Sequence, residues 1–168
     1  MIIVQKAEPK HAEGIIKVCS DGYRATYSVT HDKIYIERII KEFYNLERVL
    51  REIEETGKEW GGWFVALEGD TVVGAGGGGM IGAKSAELFV LYLNPNRRNE
   101  GIGTKILDAI TMQQKEWGAV EQWVSVAKGN MKGIPFYEAR GFVLQFEKPS
   151  YGNADGENYI SLRYKRQI

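Results

Sequence analysis

The stretch ELFVLYLNPNRRNEGIGTKIL, from Glu87 to Leu107, combines a short apolar strand, a turn and a glycine-containing loop that leads into a helix. Glycine lets the backbone of such a loop approach a ligand closely, and the first turn of a helix leaves main-chain N–H groups unpaired. The helix dipole adds about half a positive charge at the same end. Arg97 and Arg98 supply further positive charge. The stretch therefore predicts a binding site for a phosphate-bearing ligand.

The composition argues against several classes of protein. The chain has 168 residues, with 22 basic and 22 acidic side chains that cancel, and we expect residues 1–168 to form a single domain. A chain without net charge is not drawn to nucleic acid or to a membrane surface, and no apolar run approaches the ~20 residues that span a bilayer. We therefore expect neither nucleic acid nor a membrane as a partner. The oligomeric state stays open, with a homodimer as one alternative.

The cysteine and histidine content favours neither a disulfide nor a metal. Cys19 is the only cysteine, so an intrachain disulfide is ruled out and a reducing, cytoplasmic location is expected. Its apolar neighbours indicate a buried structural thiol. His11 and His31 lie far from any cysteine cluster, and we expect no metal site.

Hydrophobic periodicity predicts strands and helices along the whole chain. The predicted strands cover residues 2–6, 63–67, 71–74, 87–93, 120–127, 142–147 and 158–163. The predicted helices cover residues 11–20, 32–56, 102–117 and 134–140, and an interruption of the second near Asn45 is the alternative. Asp21-Gly22 should end the first helix, leaving residues 23–30 as a polar-aromatic connector. The glycine run 74–79 should weaken its strand and indicates close backbone contacts or a bulge.

Two glycine patterns resemble nucleotide-binding motifs but lack their context. The G-x-G-x-x-G pattern that starts at Gly74 needs a helix directly after it and an acidic residue about 20 positions on. The next strand follows too soon for such a helix, and position 99 is an asparagine. The segment 77–85 lacks the glycine that directly precedes lysine in a P-loop. We interpret the run as a flexible or bulged strand end that faces a cleft.

Two further motifs carry a resemblance to a known family. The first is Arg98-x-x-Gly101-x-Gly103, between a strand and a well-formed helix, and the second is GNMKGIPFYEARGF at residues 129–142. Together they resemble the cofactor motifs of the GNAT superfamily of acetyl-CoA-dependent N-acetyltransferases. The resemblance also covers the order of strands and helices from Ile2 to Arg163. It implies a mixed α/β fold with a central, mostly antiparallel sheet of about seven strands, splayed in the middle and flanked by about four helices.

The resemblance implies acetyl-CoA as cosubstrate and assigns residues to it. The implied pyrophosphate-binding residues are Arg98, Asn99, Glu100, Gly101, Ile102, Gly103 and Thr104. The pantetheine arm would pair as an extra strand beside Leu91, Tyr92 and Leu93, where the sheet opens. An amide near Leu91 would then donate to the thioester oxygen. Asn130 matches a cofactor-contacting asparagine of the family, although an asparagine there could equally be a turn residue that ends a strand.

Acetyl transfer to an amine needs a base for the amine and an acid for the leaving thiolate. Tyr137 matches the general-acid tyrosine of the family, the alternative being a core aromatic. Glu87 is the base candidate, because it lies eleven residues before Arg98, as does the base of the histone-acetyltransferase branch.

The surroundings of Glu87 decide whether it suits that role. Strand alternation would place Glu87, Phe89 and Leu91 on one face, and a carboxylate among apolar side chains is a suitable base near neutral pH. A strand-end glutamate without a chemical role is the alternative. The branch that acetylates ribosomal proteins has its base where this chain has Ser125, so Glu87 or an ordered water is the expected route.

The acceptor is the least determined part of the site. In this fold the loops at residues 23–30 and 151–157 line the acceptor pocket. Here they carry Tyr23, Tyr27 and Tyr151 with Asp155 and Glu157, a set that suits a cationic amine. We expect direct attack in a ternary complex by the primary amine of a polyamine-like or amino-acid-like small molecule. The alternatives are a protein or peptide acceptor, and a GNAT module that binds acyl-CoA without turnover.

Overall fold

The computed structural model describes residues 1–168, which form a seven-stranded sheet with helices on both faces. The strands are β1 (Ile2–Lys6), β2 (Phe64–Glu68), β3 (Thr71–Met80), β4 (Ser85–Leu93), β5 (Glu121–Ala127), β6 (Val143–Pro149) and β7 (Ile160–Gln167). The helices are α1 (Ala12–Tyr27), α2 (Lys33–Phe43), α3 (Leu46–Glu54), α4 (Ile102–Glu116) and α5 (Gly133–Ala139), with a 3-10 turn at Pro9–His11. None of the helices is both long and apolar enough to cross a membrane.

The strand order is β1-β2-β3-β4-β5-β7-β6, and every neighbouring pair is antiparallel except β4 and β5. The predicted mixed α/β fold with a mostly antiparallel sheet of seven strands is therefore confirmed. The helices number five because the region predicted as one long helix forms both α2 and α3. Asn45 separates them: its Oδ1 accepts from the Arg48 N–H at 2.9 Å, and its Nδ2 donates to carbonyls at the end of α2.

The prediction that Asp21-Gly22 ends the first helix is wrong, since α1 continues to Tyr27. A side chain at Gly22 would meet the Tyr92 ring at 3.1 Å, so glycine lets the helix lie directly on the sheet. A glycine inside a helix costs only about 1 kcal/mol, which such packing offsets. Tyr23 and Tyr27 therefore lie on the last turns of a helix and not on a connector.

The glycine run forms the inner part of β3, which extends to Met80 and not only to Gly74. The close backbone contacts predicted for it are confirmed, because a Cβ at Gly79 would collide with the Glu59 main chain. The bulge is also present, but in the neighbouring strand: Gly77 pairs with Val90 and Gly78 with Leu88, which leaves Phe89 as an extra residue of β4.

Two apolar cores hold the layers together. The larger one packs α4 on one face of the sheet through residues such as Ile106 and Leu107, together with Leu88. The second packs α1 and α3 on the other face and contains the fully buried Cys19, whose pKa burial raises. A thiol in that position is a packing residue, as the sequence indicated.

The sheet opens between β4 and β5, which confirms the predicted splay. These two strands pair only where Ser85–Leu88 lies beside Glu121–Val124. Beyond Leu88 and Val124 they separate, and the second half of each strand borders open space on that side. The opening faces the N-terminal end of α4, so the fold directs the glycine loop towards the gap.

Candidate active site

A cleft of about 850 Å³ fills the opening between β4 and β5. The predicted site residues that line it are Tyr23, Tyr27, Glu87, Leu91, Tyr92, Leu93, Arg98, Asn99, Gly101, Ile102, Gly103, Thr104, Asn130, Tyr137 and Tyr151. Glu100 is the one predicted cofactor-binding residue outside this lining. The structure thus brings the candidate cofactor, catalytic and acceptor residues to one cavity.

The loop at the start of α4 presents a run of free main-chain donors. The amides of residues 98–104 donate to no main-chain acceptor of the chain, and the first bond into this region comes from Lys105 to the Gly101 carbonyl. Asn99 and Gly101 adopt φ angles of 63° and 77°, in the left-handed region. Consecutive amides in such a conformation form a concave anion site, and the positive end of the α4 dipole lies beside it.

The side chains around this loop are divided between paired and free cations. Arg97 is bound by Glu68 at 2.8 Å and by Glu100 at 2.7 Å, so its charge is already compensated and the expectation that it supplies free charge is wrong. Arg98 forms no ion pair within the chain. Arg140 also faces the loop, where it donates to the Thr104 hydroxyl at 3.1 Å and stacks on the Phe136 ring.

The main chain of β4 offers donors and acceptors to the gap at alternate residues. The Asn94 N–H donates to the Val73 carbonyl, so alternation turns the main-chain groups of Tyr92 towards β3 and those of Leu91 and Leu93 towards the gap. Of the three residues predicted to pair with a pantetheine arm, two therefore have free backbone groups. Tyr92 faces the acceptor side through its ring, which lies 5.9 Å from that of Tyr23.

Glu87 is held in an ion pair that the sequence did not reveal. Both of its oxygens accept from Arg163, at 2.8 and 2.9 Å, and the side chains are 14% and 11% exposed. Arg163 also donates to the Ser125 hydroxyl at 2.8 Å. The expectation of apolar surroundings is wrong. The prediction that Glu87, Phe89 and Leu91 share one face of β4 is also wrong. The bulge at Phe89 shifts the alternation of the side chains, and Leu91 packs against the larger core.

Tyr137 is a buried ring with an unengaged hydroxyl. The ring packs edge-to-face against Phe136 and Phe142 and belongs to the larger core. Its hydroxyl donates to no group of the chain, yet the residue lines the cleft. Burial raises the pKa of this hydroxyl, so it stays protonated throughout the neutral range. A protonated hydroxyl without a partner in the chain is available as a proton donor to a ligand in the cleft.

The oxygen and the nitrogen of the Asn130 side-chain amide differ in their hydrogen bonding. Its Oδ1 accepts from the Gly133 N–H at 2.8 Å and from the Lys132 N–H at 3.2 Å, which caps the start of α5. Its Nδ2 lies near the Tyr27 hydroxyl but forms no well-aligned hydrogen bond within the chain. The residue therefore ends β5 and orders the next helix, while its amide nitrogen stays available to a ligand in the cleft.

The acceptor side of the cleft is covered by aromatic side chains. Tyr23 and Tyr27 lie 4.4 Å apart on α1, and the His31 ring stacks on Tyr159 at 4.0 Å. The Asp32 N–H donates to the Tyr159 hydroxyl at 3.0 Å, which joins the turn after α1 to the loop before β7. These contacts hold the turn after α1 against the loop before β7, and His31 of that turn borders the cavity.

The acidic residues predicted for this wall do not line it. Glu157 accepts from Arg38 and from the Ala154 N–H, and neither Glu157 nor Asp155 borders the cleft. Glu52 does so instead, and sequence reasoning missed it. The sequence feature that could have revealed Glu52 is its spacing: it follows the buried Val49 by three residues, which places a carboxylate on the apolar face of α3.

Comparison with known proteins agrees with this geometry. Residues 24–142 match the Acetyltransferase (GNAT) family. The chain belongs to the GNAT family of acetyltransferases. The match covers β2 to β5 and both cofactor motifs, so the resemblance that these motifs carry is confirmed.

Individual relatives cover nearly the whole chain. A spermidine N(1)-acetyltransferase of Thermoplasma acidophilum is 28% identical over 159 residues, which are 95% of this chain and 94% of the relative. The crystal structure of the PaiA N-acetyltransferase from the same organism, in complex with coenzyme A, superposes with a TM-score of 0.83 at 26% identity, over 100% of this chain and 99% of that one. The ribosomal-protein-S18-alanine N-acetyltransferase of Escherichia coli has the same fold, with a TM-score of 0.72 at 13% identity, over 100% and 94%.

This GNAT protein is therefore an acetyltransferase whose acetyl donor is acetyl-CoA. The cavity suits that donor, since its loop of free amides and its two unpaired arginines match a diphosphate, and the gap beside β4 matches an amide-containing arm. No group of three or more His, Cys, Asp or Glu side chains is placed to hold a metal ion.

Proposed function

We propose that the enzyme acetylates the primary amine of a small, polyamine-like or amino-acid-like molecule, by direct attack on acetyl-CoA in a ternary complex. The observation that carries this proposal is the aromatic lining of the cleft, to which Tyr23, Tyr27 and His31 contribute. The stacking of His31 on Tyr159 and the hydrogen bond from the Asp32 N–H to the Tyr159 hydroxyl fix the turn after α1 that carries His31. Aromatic faces such as those of Tyr23 and Tyr27 attract an ammonium group. The relative named a spermidine acetyltransferase supports the same acceptor class.

In this proposal the main chain binds the donor. The amides of residues 98–104, with Arg98 and Arg140, hold the pyrophosphate. The free groups of Leu91 and Leu93 pair with the pantetheine arm, and Asn130 donates its Nδ2 to the same arm. The Leu91 N–H donates to the thioester oxygen and stabilises the negative charge that develops there as the amine attacks.

A water beside Glu87 and the Tyr137 hydroxyl carry out the proton transfers in this proposal. The bound ammonium must lose a proton before it attacks, and both Glu87 oxygens already accept from Arg163. We therefore propose that a water beside Glu87 takes this proton, with the carboxylate stabilising the cation that forms. As the tetrahedral adduct collapses, the C–S bond breaks and Tyr137 gives its proton to the thiolate of coenzyme A, while the nitrogen of the adduct loses its extra proton, which returns through water to the tyrosinate. A cytoplasmic location and a homodimer remain predictions from the sequence.

An acceptor panel tests the proposal. The protein is incubated with acetyl-CoA and, separately, with diamines, polyamines, amino acids and short peptides, while free thiol is measured and products are weighed by mass spectrometry. We expect thiol release and a gain of one acetyl group with at least one small amine. Turnover restricted to peptides would overturn the assignment of a small acceptor.

Acetyl-CoA should also stabilise the fold. At a concentration of one hundred times its Kd, a ligand that binds only the native state adds about 2.7 kcal/mol. For a chain of this size that raises the Tm by roughly 5–10 °C. Thermal melts with NAD or ATP at the same concentration serve as controls, and we expect them to shift the Tm much less. Equal shifts with all three would contradict a site shaped for coenzyme A.

A further inference from the structure

Glu52 is a carboxylate inside the cleft that no step of the proposed mechanism uses. Only two carboxylates line the cavity, Glu52 and Glu87. The Glu87 carboxylate is held by Arg163 in a two-pronged ion pair, as described above. Glu52 is 23% exposed and lies on α3, at the end of the cavity away from the glycine loop.

The Glu52 carboxylate has unused acceptor capacity. One oxygen accepts from Trp63 Nε1 at 3.1 Å and the other from Arg48 Nε at 3.2 Å. An ionised carboxylate has about four lone-pair sites, so these two bonds leave acceptor positions free. Arg48 reaches Glu52 through a single nitrogen, while its guanidinium stacks on the Phe43 ring at 4.3 Å. Its contact with Glu52 is thus weaker than the two-pronged pair at Glu87.

The walls around Glu52 are aromatic. Trp60 and Trp63 meet edge-to-face at 5.7 Å, and the Trp60 indole donates to the Glu52 carbonyl at 2.8 Å, which fixes its ring beside the carboxylate. Phe43 also borders the cavity there. The Arg48 guanidinium already covers the Phe43 ring. The Glu52 carboxylate and the Trp60 ring are therefore the groups that provide charge and π attraction for an ammonium group. The cleft therefore contains, beside Glu52, the features that bind one cation.

We propose that Glu52 is a specificity-determining residue that binds the distal ammonium of a linear diamine or polyamine, while the other terminal amine reaches the thioester beside Leu91. This inference rests on the proposed function. It adds that the acceptor carries two positive charges, and that the alkyl chain between them lies along the cavity wall that includes the rings of Trp60 and Tyr92.

Comparison of a diamine with a monoamine tests this role. Steady-state kinetics would be measured with spermidine and 1,4-diaminobutane, and with 1-aminobutane, which lacks the second charge. In Glu52→Gln the amide oxygen still accepts from Trp63, but the charge is gone. We expect the KM for the diamine and for spermidine to rise at least 10-fold, with the KM for acetyl-CoA and the kcat/KM for 1-aminobutane unchanged.

Two further variants make the test specific. Glu47→Gln removes the same charge from an exposed position of the same helix, and it should leave every constant at the wild-type value. Glu52→Asp keeps the charge with a shorter reach, and its KM for the diamine should rise less than that of the glutamine variant. Melting curves show whether each variant is folded, and the aspartate variant carries the test if the glutamine variant is not.

The outcomes separate the two proposals. If the wild type acetylates diamines and Glu52→Gln has an unchanged KM, the role of Glu52 is refuted while the proposed function stands. An equal loss with 1-aminobutane would also refute it, because a merely structural change affects both acceptors alike. A wild-type enzyme that releases no thiol with any small amine would overturn the proposed function and this inference together.

Discussion

Replacement of Tyr137 by phenylalanine is expected to lower kcat by about 10²-fold, because general-acid assistance typically contributes 10²–10⁴-fold. The ring would keep its packing against Phe136 and Phe142, and the lost hydroxyl has no partner within the chain. The Kd for acetyl-CoA and the Tm should therefore stay close to the wild-type values. Thiol-release kinetics measure kcat, calorimetric titration measures the Kd for acetyl-CoA, and thermal melts measure the Tm.

The matched control for this change is Tyr164→Phe. Tyr164 belongs to the same apolar core, but its hydroxyl donates to Glu138 and does not border the cleft. Its loss should affect stability and leave kcat unchanged. Wild-type turnover in Tyr137→Phe would show that the thiolate leaves without help from this hydroxyl.

Replacement of Glu87 by glutamine is expected to reduce both stability and turnover. The change leaves the buried Arg163 without its carboxylate partner, and removal of one member of a buried ion pair costs about 3–5 kcal/mol. For a chain of this length the Tm should fall by roughly 6–20 °C. The kcat should fall by about 10-fold or more, because the water that accepts the amine proton loses its stabilising charge.

The double variant Glu87→Gln with Arg163→Gln separates the two effects. It removes both charges, so much of the lost stability should return. Turnover should stay low, since the carboxylate is still missing. A double variant that regains full turnover would mean that Glu87 acts only by balancing Arg163, and that the amine loses its proton by another route.

The donor half of the site was readable from the sequence because its signal is local. The strand, the glycine loop and the start of α4 follow one another in the chain, and main-chain donors need only the right backbone conformation. Asn130 and Tyr137 likewise lie seven residues apart in one motif. Each of these residues borders the cleft.

The acceptor half was predicted less well, because distant residues assemble it. Arg163 lies 76 positions from Glu87, and no pattern near Glu87 indicates that pairing. The prediction of which β4 side chains share a face assumed regular alternation. The bulge at Phe89 breaks that alternation, and it lies in the pairing of β4 with β3. Glu157 is bound by Arg38, 119 positions away, whereas Glu52 enters the cavity only because α2 and α3 bend at Asn45.

The free amides of residues 98–104 have an evolutionary consequence. Every residue type except proline carries a main-chain N–H, so most exchanges in this loop preserve the donors as long as the backbone path is kept. In the proposed acceptor site, recognition of the amine instead depends on individual side chains on α1, α3 and the strands, where one exchange alters charge or shape. Descendants of such a protein can change the amine they modify while they inherit the same acetyl donor.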